Sequence, residues 1–147
     1  PFAGDCAIPV MLNDLRWKCY DIEPQRGSIK VSKRDTINKF PSGFKVCITN
    51  PPYLAKNSAT RRGLHFPDCD YDNLYKHCLK LMLDNCQYVA AIVPDSYVQS
   101  GLFTDRLYGV ISILCVLQCS LLMSQITITF GVVIHSLEHI KNYQSLI

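Results

Sequence analysis

The sequence has little charge, few glycines and prolines, and no repeated or low-complexity segment. Charged residues make up 18% of the 147 residues, hydrophobic residues make up 48%, and the net charge is +3. A disordered chain is more polar and more strongly charged than this. Seven glycines and eight prolines are too few for a collagen-like or low-complexity chain. We therefore expect one globular domain over residues 1–147, with a single hydrophobic core.

The sequence also has no basic-then-apolar leader and no Asn-x-Ser/Thr glycosylation site. Its eight cysteines would suit a disulfide scaffold, but the chain is larger than the small secreted domains that depend on such bonds. Most of the cysteines lie in apolar runs, where cysteine behaves as a small buried hydrophobic residue. We expect free thiols, a reducing compartment and a cytoplasmic protein.

One uncharged run, residues 110–134, is long enough to cross a bilayer as a helix. Its second half alternates polar and apolar residues from Gln125 to Phe130, which is the period of a β-strand. We therefore expect two neighbouring strands, joined near Met123 and Ser124, and no membrane segment.

The remaining pattern alternates between strands and helices. Strands are predicted over 17–22, 29–31, 44–49 and 88–93, helices over 7–15, 71–85 and 102–108, and a basic loop over 54–70. Such alternation predicts an α/β fold with a mostly parallel sheet, helices on both faces and a terminal antiparallel hairpin. Ligands of these folds bind beyond the carboxyl ends of the strands.

The tetrapeptide Asn50-Pro51-Pro52-Tyr53 lies at one such strand end. Two consecutive prolines fix φ and remove two backbone donors, so the turn is rigid and rich in acceptors. The Asn50 side-chain oxygen and the Pro51 carbonyl can each accept one hydrogen of an exocyclic amine, which aims the nitrogen lone pair at an electrophile. Tyr53 offers a flat face for a planar base. The plainer interpretation is a rigid turn after a buried strand.

This tetrapeptide resembles the catalytic (Asn/Asp/Ser)-Pro-Pro-(Tyr/Phe) motif of the S-adenosylmethionine-dependent amino-methyltransferases. The resemblance implies a Rossmann-like methyltransferase fold with S-adenosylmethionine as cofactor. It also implies that the catalytic residues are Asn50, Pro51, Pro52 and Tyr53.

Three further segments resemble the cofactor-binding parts of this family, in the family's order. Residues Pro1-Phe2-Ala3-Gly4-Asp5-Cys6 are similar to the cofactor loop, with Cys6 where the family has a glycine. Asp21 lies where an acidic residue holds the ribose, and Asp35 lies where the family contacts adenine. The implied cofactor-binding residues are Phe2, Ala3, Gly4, Asp21, Ile22, Asp35, Thr36 and Asn50. The resemblance also implies a first strand ahead of Pro1.

Two segments resemble bacterial restriction-modification adenine methyltransferases in particular, residues 54–63 and residues 89–103. The resemblance implies methyl transfer to N6 of an adenine flipped out of DNA, with no cysteine nucleophile. Lys56, Arg61 and Arg62 would then contact DNA phosphates, although a solvated loop would carry the same charges. Three alternatives stay open: a non-catalytic methyltransferase-like module, which Cys6 and the apparently missing first strand favour, and transfer to RNA or to a protein glutamine. The sequence also leaves adenine N6 and cytosine N4 both open.

A zinc site is the remaining candidate. Cys115-x₃-Cys119 and His135-x₃-His139 approach a zinc-finger spacing. The residues between the two pairs form a strand-like apolar run without the polar helix that a zinc finger needs. We therefore expect no metal.

Overall fold

The computed structural model describes residues 1–4, 8, 16–25, 30–94, 96–116 and 125–134, and it describes 111–116 and 125–134 by their backbone alone. The helix expected over 7–15 falls almost wholly outside these residues. So do Asp5, Cys6 and the segment that joins the two last strands.

Strands and helices alternate along the described residues. The strands are β1 (Cys19–Asp21), β2 (Val31–Lys33), β3 (Val46–Thr49), β4 (Tyr88–Pro94), β5 (Leu107–Val116) and β6 (Gln125–Ile134). The helices are α1 (Lys56–Arg61), α2 (Leu74–Asn85) and α3 (Ser96–Gln99), and a 3₁₀ turn spans Thr104–Arg106. The fold is a small α/β fold with short sheets that contain parallel strands.

The strands form two sheets. In one, β1 pairs with β2 in parallel. In the other the order is β3-β4-β6-β5, with β3 and β4 parallel and β6 antiparallel to both of its neighbours. The ladder between β3 and β4 ends at the pair Thr49–Ala91, so residue 50 begins beyond the carboxyl end of β3.

The core lies between α2 and β4. Helix α2 begins after Asn73, whose backbone is extended and whose side-chain oxygen accepts from Tyr75 N at 3.4 Å. One face of α2 is buried, and β4 buries every second residue against it because successive side chains alternate across a strand. The buried residues of the two elements are Leu74, Tyr75, Cys78, Leu79, Met82, Leu83, Val89, Ala91 and Val93. Each fully buried Leu or Val contributes roughly 1.5–3 kcal/mol.

A short antiparallel bridge holds the segment after the proline corner. Ala55 pairs with Asn73, Lys56 N donates to Asp72 O at 2.8 Å, and Leu74 N donates to Leu54 O at 2.9 Å. The start of α1 is therefore joined to the start of α2. The residues between them form a segment whose two ends lie side by side at this bridge.

Several sequence predictions are confirmed. The α/β class is as expected, and the strands predicted over 17–22, 44–49 and 88–93 and the helix predicted over 71–85 are present with slightly different bounds. The uncharged run 110–134 contains the antiparallel pair β5 and β6, as its alternation predicted. Among the described residues, no helix combines the length and the apolar character that crossing a membrane requires.

Three predictions are wrong. Residues 54–70 were expected to be a loop, but they contain α1, which forms around the fully buried Ala59. The helix predicted over 102–108 is only a 3₁₀ turn, because Gly101 and Phe103 have φ of +65° and +56°, which no α-helix accommodates. The described strands form two sheets instead of one: β1 and β3 do not pair with each other, and residues of both line a common cavity.

Candidate functional site

The proline corner lies immediately beyond the carboxyl end of β3, as the sequence predicts. Pro51 is fully buried, whereas Asn50 is exposed and Tyr53 keeps 48% of its surface accessible. The buried proline fixes the turn to the core, and the two side chains on either side of the proline pair face solvent. An incoming group can therefore reach both Asn50 and Tyr53.

Tyr53 is held by contacts at its hydroxyl and at its ring. The hydroxyl lies 2.6 Å from Asn50 Oδ1 and 2.7 Å from the carbonyl oxygen of Ile92, the first residue of β4 beyond the β3–β4 ladder. Its ring packs edge-on against Tyr75 at 5.9 Å between centroids. Burial, and secondarily the neighbouring Tyr75, raises the pKa of Tyr53 to about 12. The hydroxyl is consequently protonated at neutral pH.

Residues 1–4 cross the carboxyl ends of both β1 and β3. Thr49, the last residue of β3 and only 2% exposed, donates its hydroxyl to the Pro1 carbonyl at 2.5 Å. Ala3 N donates to Tyr20 O on β1 at 3.0 Å. Phe2 has a left-handed φ of +54°, which is a strained conformation for a residue with a Cβ. Residues 1–4 of the predicted cofactor loop thus lie at the strand end that immediately precedes Asn50.

Asp21 ends β1 and faces this loop. Its Oδ2 accepts from Gly4 N and its Oδ1 accepts from Glu23 N, both at 2.9 Å. Gly4 has a φ of +53°, and a Cβ there would meet open space, so the backbone conformation is what favours glycine. Each Asp21 oxygen keeps a lone pair that can accept from a ligand hydroxyl. Ile22, the next residue, is 60% exposed.

The Asp35 carboxylate accepts hydrogen bonds mainly from residues of its own turn. Its Oδ1 accepts from Ile37 N and Asn38 N at 3.1 Å, and its Oδ2 accepts from the Asn38 side chain at 2.7 Å. These hydrogen bonds, those from Asn38 above all, lower the pKa of Asp35. Thr36 is buried at 3% exposure, so its side chain belongs to the packing of this turn. Asp35 therefore has one lone-pair site left for a ligand.

An apolar cavity of about 180 Å³ lies between the two sheets, and Pro1, Phe2 and Ala3 are among the residues that line it. Cys47 and Cys86 line it, and their hydrogen bond, together with burial, raises the pKa of the Cys47 thiol well above its ordinary value. Small-molecule sites usually enclose about 300–1,000 Å³ and include polar groups. We therefore place the candidate site at the rim of this cavity, where Thr49, Asp21 and the loop meet, and not inside it.

The three basic residues predicted to contact nucleic acid lie on or just after α1. Lys56, Arg61 and Arg62 are all exposed. The Lys56 ammonium lies 6.0 Å from the centre of the Phe66 ring, and Arg61 contacts Ser58 at 3.4 Å. Across the described residues, none of the three forms a salt bridge. Their charge is available to an anionic partner next to the corner.

Sequence reasoning missed three residues of this site. Thr49, Tyr75 and Ile92 position the loop, the Tyr53 ring and the Tyr53 hydroxyl. Thr49 carried a weak signal, because it is a polar residue at the end of an apolar strand. Tyr75 and Ile92 carried none, since each reaches the corner only through tertiary packing.

No metal-binding cluster forms from three or more His, Cys, Asp or Glu side chains within the part of the chain that the structure describes. The Cys119, His135 and His139 of the rejected zinc spacing lie outside that part. Comparison with known proteins gives no match: no family model fits the chain, and no curated protein and no solved structure is significantly similar to it.

Proposed function

We propose that this chain is an S-adenosylmethionine-dependent methyltransferase that methylates an exocyclic amine, N6 of adenine in DNA. The observation that carries the proposal is the rigid corner of Asn50, Pro51 and Tyr53, held at a strand's carboxyl end beside the loop of residues 1–4. The corner supplies amine acceptors and an aromatic face. The neighbouring loop and Asp21 supply the groups that a nucleoside-bearing cofactor needs.

The strand arrangement supports a Rossmann-like methyltransferase fold as the finer assignment. The two parallel pairs, β1–β2 and β3–β4, and the terminal antiparallel hairpin β5–β6 are the parts of that fold expected from the sequence. The corner follows one of the parallel strands, which is the edge of such sheets where ligands bind.

The residues at the loop fit the cofactor by the chemistry of their donors and acceptors. Asp21 keeps acceptor capacity for ribose hydroxyls, Gly4 leaves open space where a Cβ would stand, and Asp35 keeps one acceptor site for an adenine amine. Phe2 and Ala3 lie in the loop, Ile22 follows Asp21, and Thr36 follows Asp35. When bound, S-adenosylmethionine supplies an electrophilic methyl group.

The corner prepares the amine that accepts this group. Asn50 and the Pro51 carbonyl each accept one amine hydrogen, which draws the nitrogen lone pair out of conjugation with the base. Tyr53 presents its exposed ring to a flipped base, and Tyr75 keeps that ring from turning. Lys56, Arg61 and Arg62 neutralise backbone phosphates beside the corner. Positioning and polarisation account for the rate, and no covalent intermediate with the protein is needed.

Replacing Asn50 tests the catalytic role. Asn50→Ala removes one of two acceptors for the amine, so we expect transfer of labelled methyl to DNA to fall by about 100-fold or more. Cofactor affinity, measured by calorimetry, should stay nearly unchanged. Asn85→Ala is the matched control, since Asn85 is exposed at the end of α2. Full activity of Asn50→Ala would refute the assignment.

The substrate is tested by offering three acceptors to the same preparation. Labelled methyl should enter adenine-containing DNA and not RNA or a glutamine-containing protein. Incorporation into RNA or protein alone would replace the DNA assignment. Micromolar cofactor binding without transfer to any acceptor, or no cofactor binding, would instead favour the non-catalytic module.

A further inference from the structure

The Tyr53 hydroxyl has one proton but two oxygen neighbours. Asn50 Oδ1 lies 2.6 Å from it and the Ile92 carbonyl oxygen lies 2.7 Å from it. A hydroxyl donates a single hydrogen bond. With Asn50 in this orientation, one of the two short contacts joins two oxygens without a proton between them. Such a contact costs about as much as an unsatisfied polar group.

Only Asn50 can resolve this conflict. The Ile92 carbonyl is an acceptor and never donates, whereas a carboxamide has a donor end and an acceptor end of nearly the same shape. A half-turn of the Asn50 carboxamide places Nδ2 beside the Tyr53 hydroxyl. Asn50 then donates to Tyr53, and Tyr53 donates to Ile92, so each contact has one donor and one acceptor.

We propose that Tyr53 is a positioning residue that, with Ile92, fixes the Asn50 carboxamide so that its oxygen points away from Tyr53 and toward the substrate amine. This inference rests on the proposed function, because it names how the amine acceptor of that site is oriented. The anchor is firm, since Ile92 belongs to β4, which is paired with β6 at this level. The oriented oxygen is reachable, since Asn50 is exposed.

Orientation matters because the two ends of the carboxamide act oppositely on an amine. The oxygen accepts an amine hydrogen and polarises the nitrogen, whereas the NH₂ end offers only donors to a group that also donates. A carboxamide free to turn would present the wrong end part of the time. The raised pKa of Tyr53 keeps its proton available for Ile92 at neutral pH.

The first test reads the Asn50 side chain directly, by NMR of the ¹⁵N-labelled chain without ligands. The Asn50 NH₂ signals are assigned by their loss in Asn50→Asp. We expect one amide proton to exchange with water several-fold more slowly than those of the exposed Asn57. Tyr53→Phe should remove this protection, and Tyr108→Phe, at a position 75% exposed, should not. Exchange as fast as that of Asn57 in the unsubstituted chain overturns the proposal, whatever the variants do.

The second test separates orientation from a general structural role. Tyr53→Phe keeps the ring for stacking and should lower kcat roughly fivefold, the effect of one net hydrogen bond, with KM for the cofactor unchanged. In the Asn50→Asp background, both ends of the side chain accept, so the same substitution should lower kcat no more than about twofold. Equal losses in both backgrounds would show that Tyr53 does not act through orientation.

The two proposals fail separately. Protected Asn50 signals in a chain that methylates nothing would overturn the proposed function and leave the orientation standing. Methyl transfer by a chain whose Asn50 signals are unprotected would overturn the orientation and leave the proposed function standing.

Discussion

The hydrogen bond between Thr49 and Pro1 gives the sharpest test of how the loop is held. Thr49→Val removes the hydroxyl but keeps the shape of a side chain that is 2% exposed. The bond is short, 2.5 Å, and joins residues 48 positions apart. Because Pro1 is only partly buried, water can replace the lost donor. We therefore expect the free energy of unfolding to fall by about 1 kcal/mol.

The same loss should weaken cofactor binding. This bond holds the loop together with the bonds from Ala3 N and Gly4 N, so its loss should raise the Kd for S-adenosylmethionine by up to roughly fivefold, the equivalent of about 1 kcal/mol. Urea unfolding can be followed by the fluorescence of Trp17, the single tryptophan, which lies just before β1. Calorimetric titration gives the affinity.

Two control variants make the result interpretable. Thr49→Ser keeps the hydroxyl and should restore cofactor affinity, whereas Thr60→Val removes an exposed hydroxyl that donates to Lys56 O within α1 and should leave affinity unchanged. If Thr49→Val binds the cofactor as tightly as the unsubstituted chain, the loop is not held in the way that we describe.

Two further predictions concern stability. Leu79→Ala, at a fully buried position in the core, should lower the free energy of unfolding by about 2–5 kcal/mol, measured by urea unfolding, whereas Leu64→Ala, at a position 44% exposed, should lower it by far less. Burial raises the pKa of Tyr97 to about 12, so the folded chain keeps this proton where the unfolded chain loses it. Stability should therefore be unaffected by this group below pH 10 and fall between pH 10 and 12, by at most about 1.4 kcal/mol per pH unit. Tyr97→Phe should reduce that fall, and an unchanged alkaline profile would contradict the effect.

Local patterns were sufficient for the elements that form the core. The continuous apolar run after Tyr88 predicts β4, and the helical spacing of Leu74, Cys78 and Leu81 predicts α2. These patterns are informative because each element buries a whole face, and burying a face requires apolar residues at the spacing of that helix or strand.

Elements stabilised by single contacts were not predictable in this way. Helix α1 depends on one buried alanine, Ala59, and its polar sequence has no helical apolar pattern. The helix predicted over 102–108 does not form because Phe103, near its start, takes a left-handed conformation, which no residue preference favours. Both features come from tertiary packing, which overrides local propensity.

The candidate site divides in the same way. Asn50 and Tyr53 could be identified because two prolines make their motif conspicuous. The partners that position them, Thr49 for the loop and Ile92 for the hydroxyl, are 48 and 39 residues away in sequence from the groups that they contact. Only the fold brings such partners together.

The bridge between Ala55 and Asn73 has a consequence for how this surface can change. Its hydrogen bonds close the segment from Leu54 to Leu74 at its base, so residues 62–71 form an excursion with fixed ends. Lengthening a loop whose ends are already joined costs little free energy. Insertions that keep Phe66 packed against the core therefore leave Tyr53, just before the bridge, in position, so this part of the surface can vary without moving the candidate site.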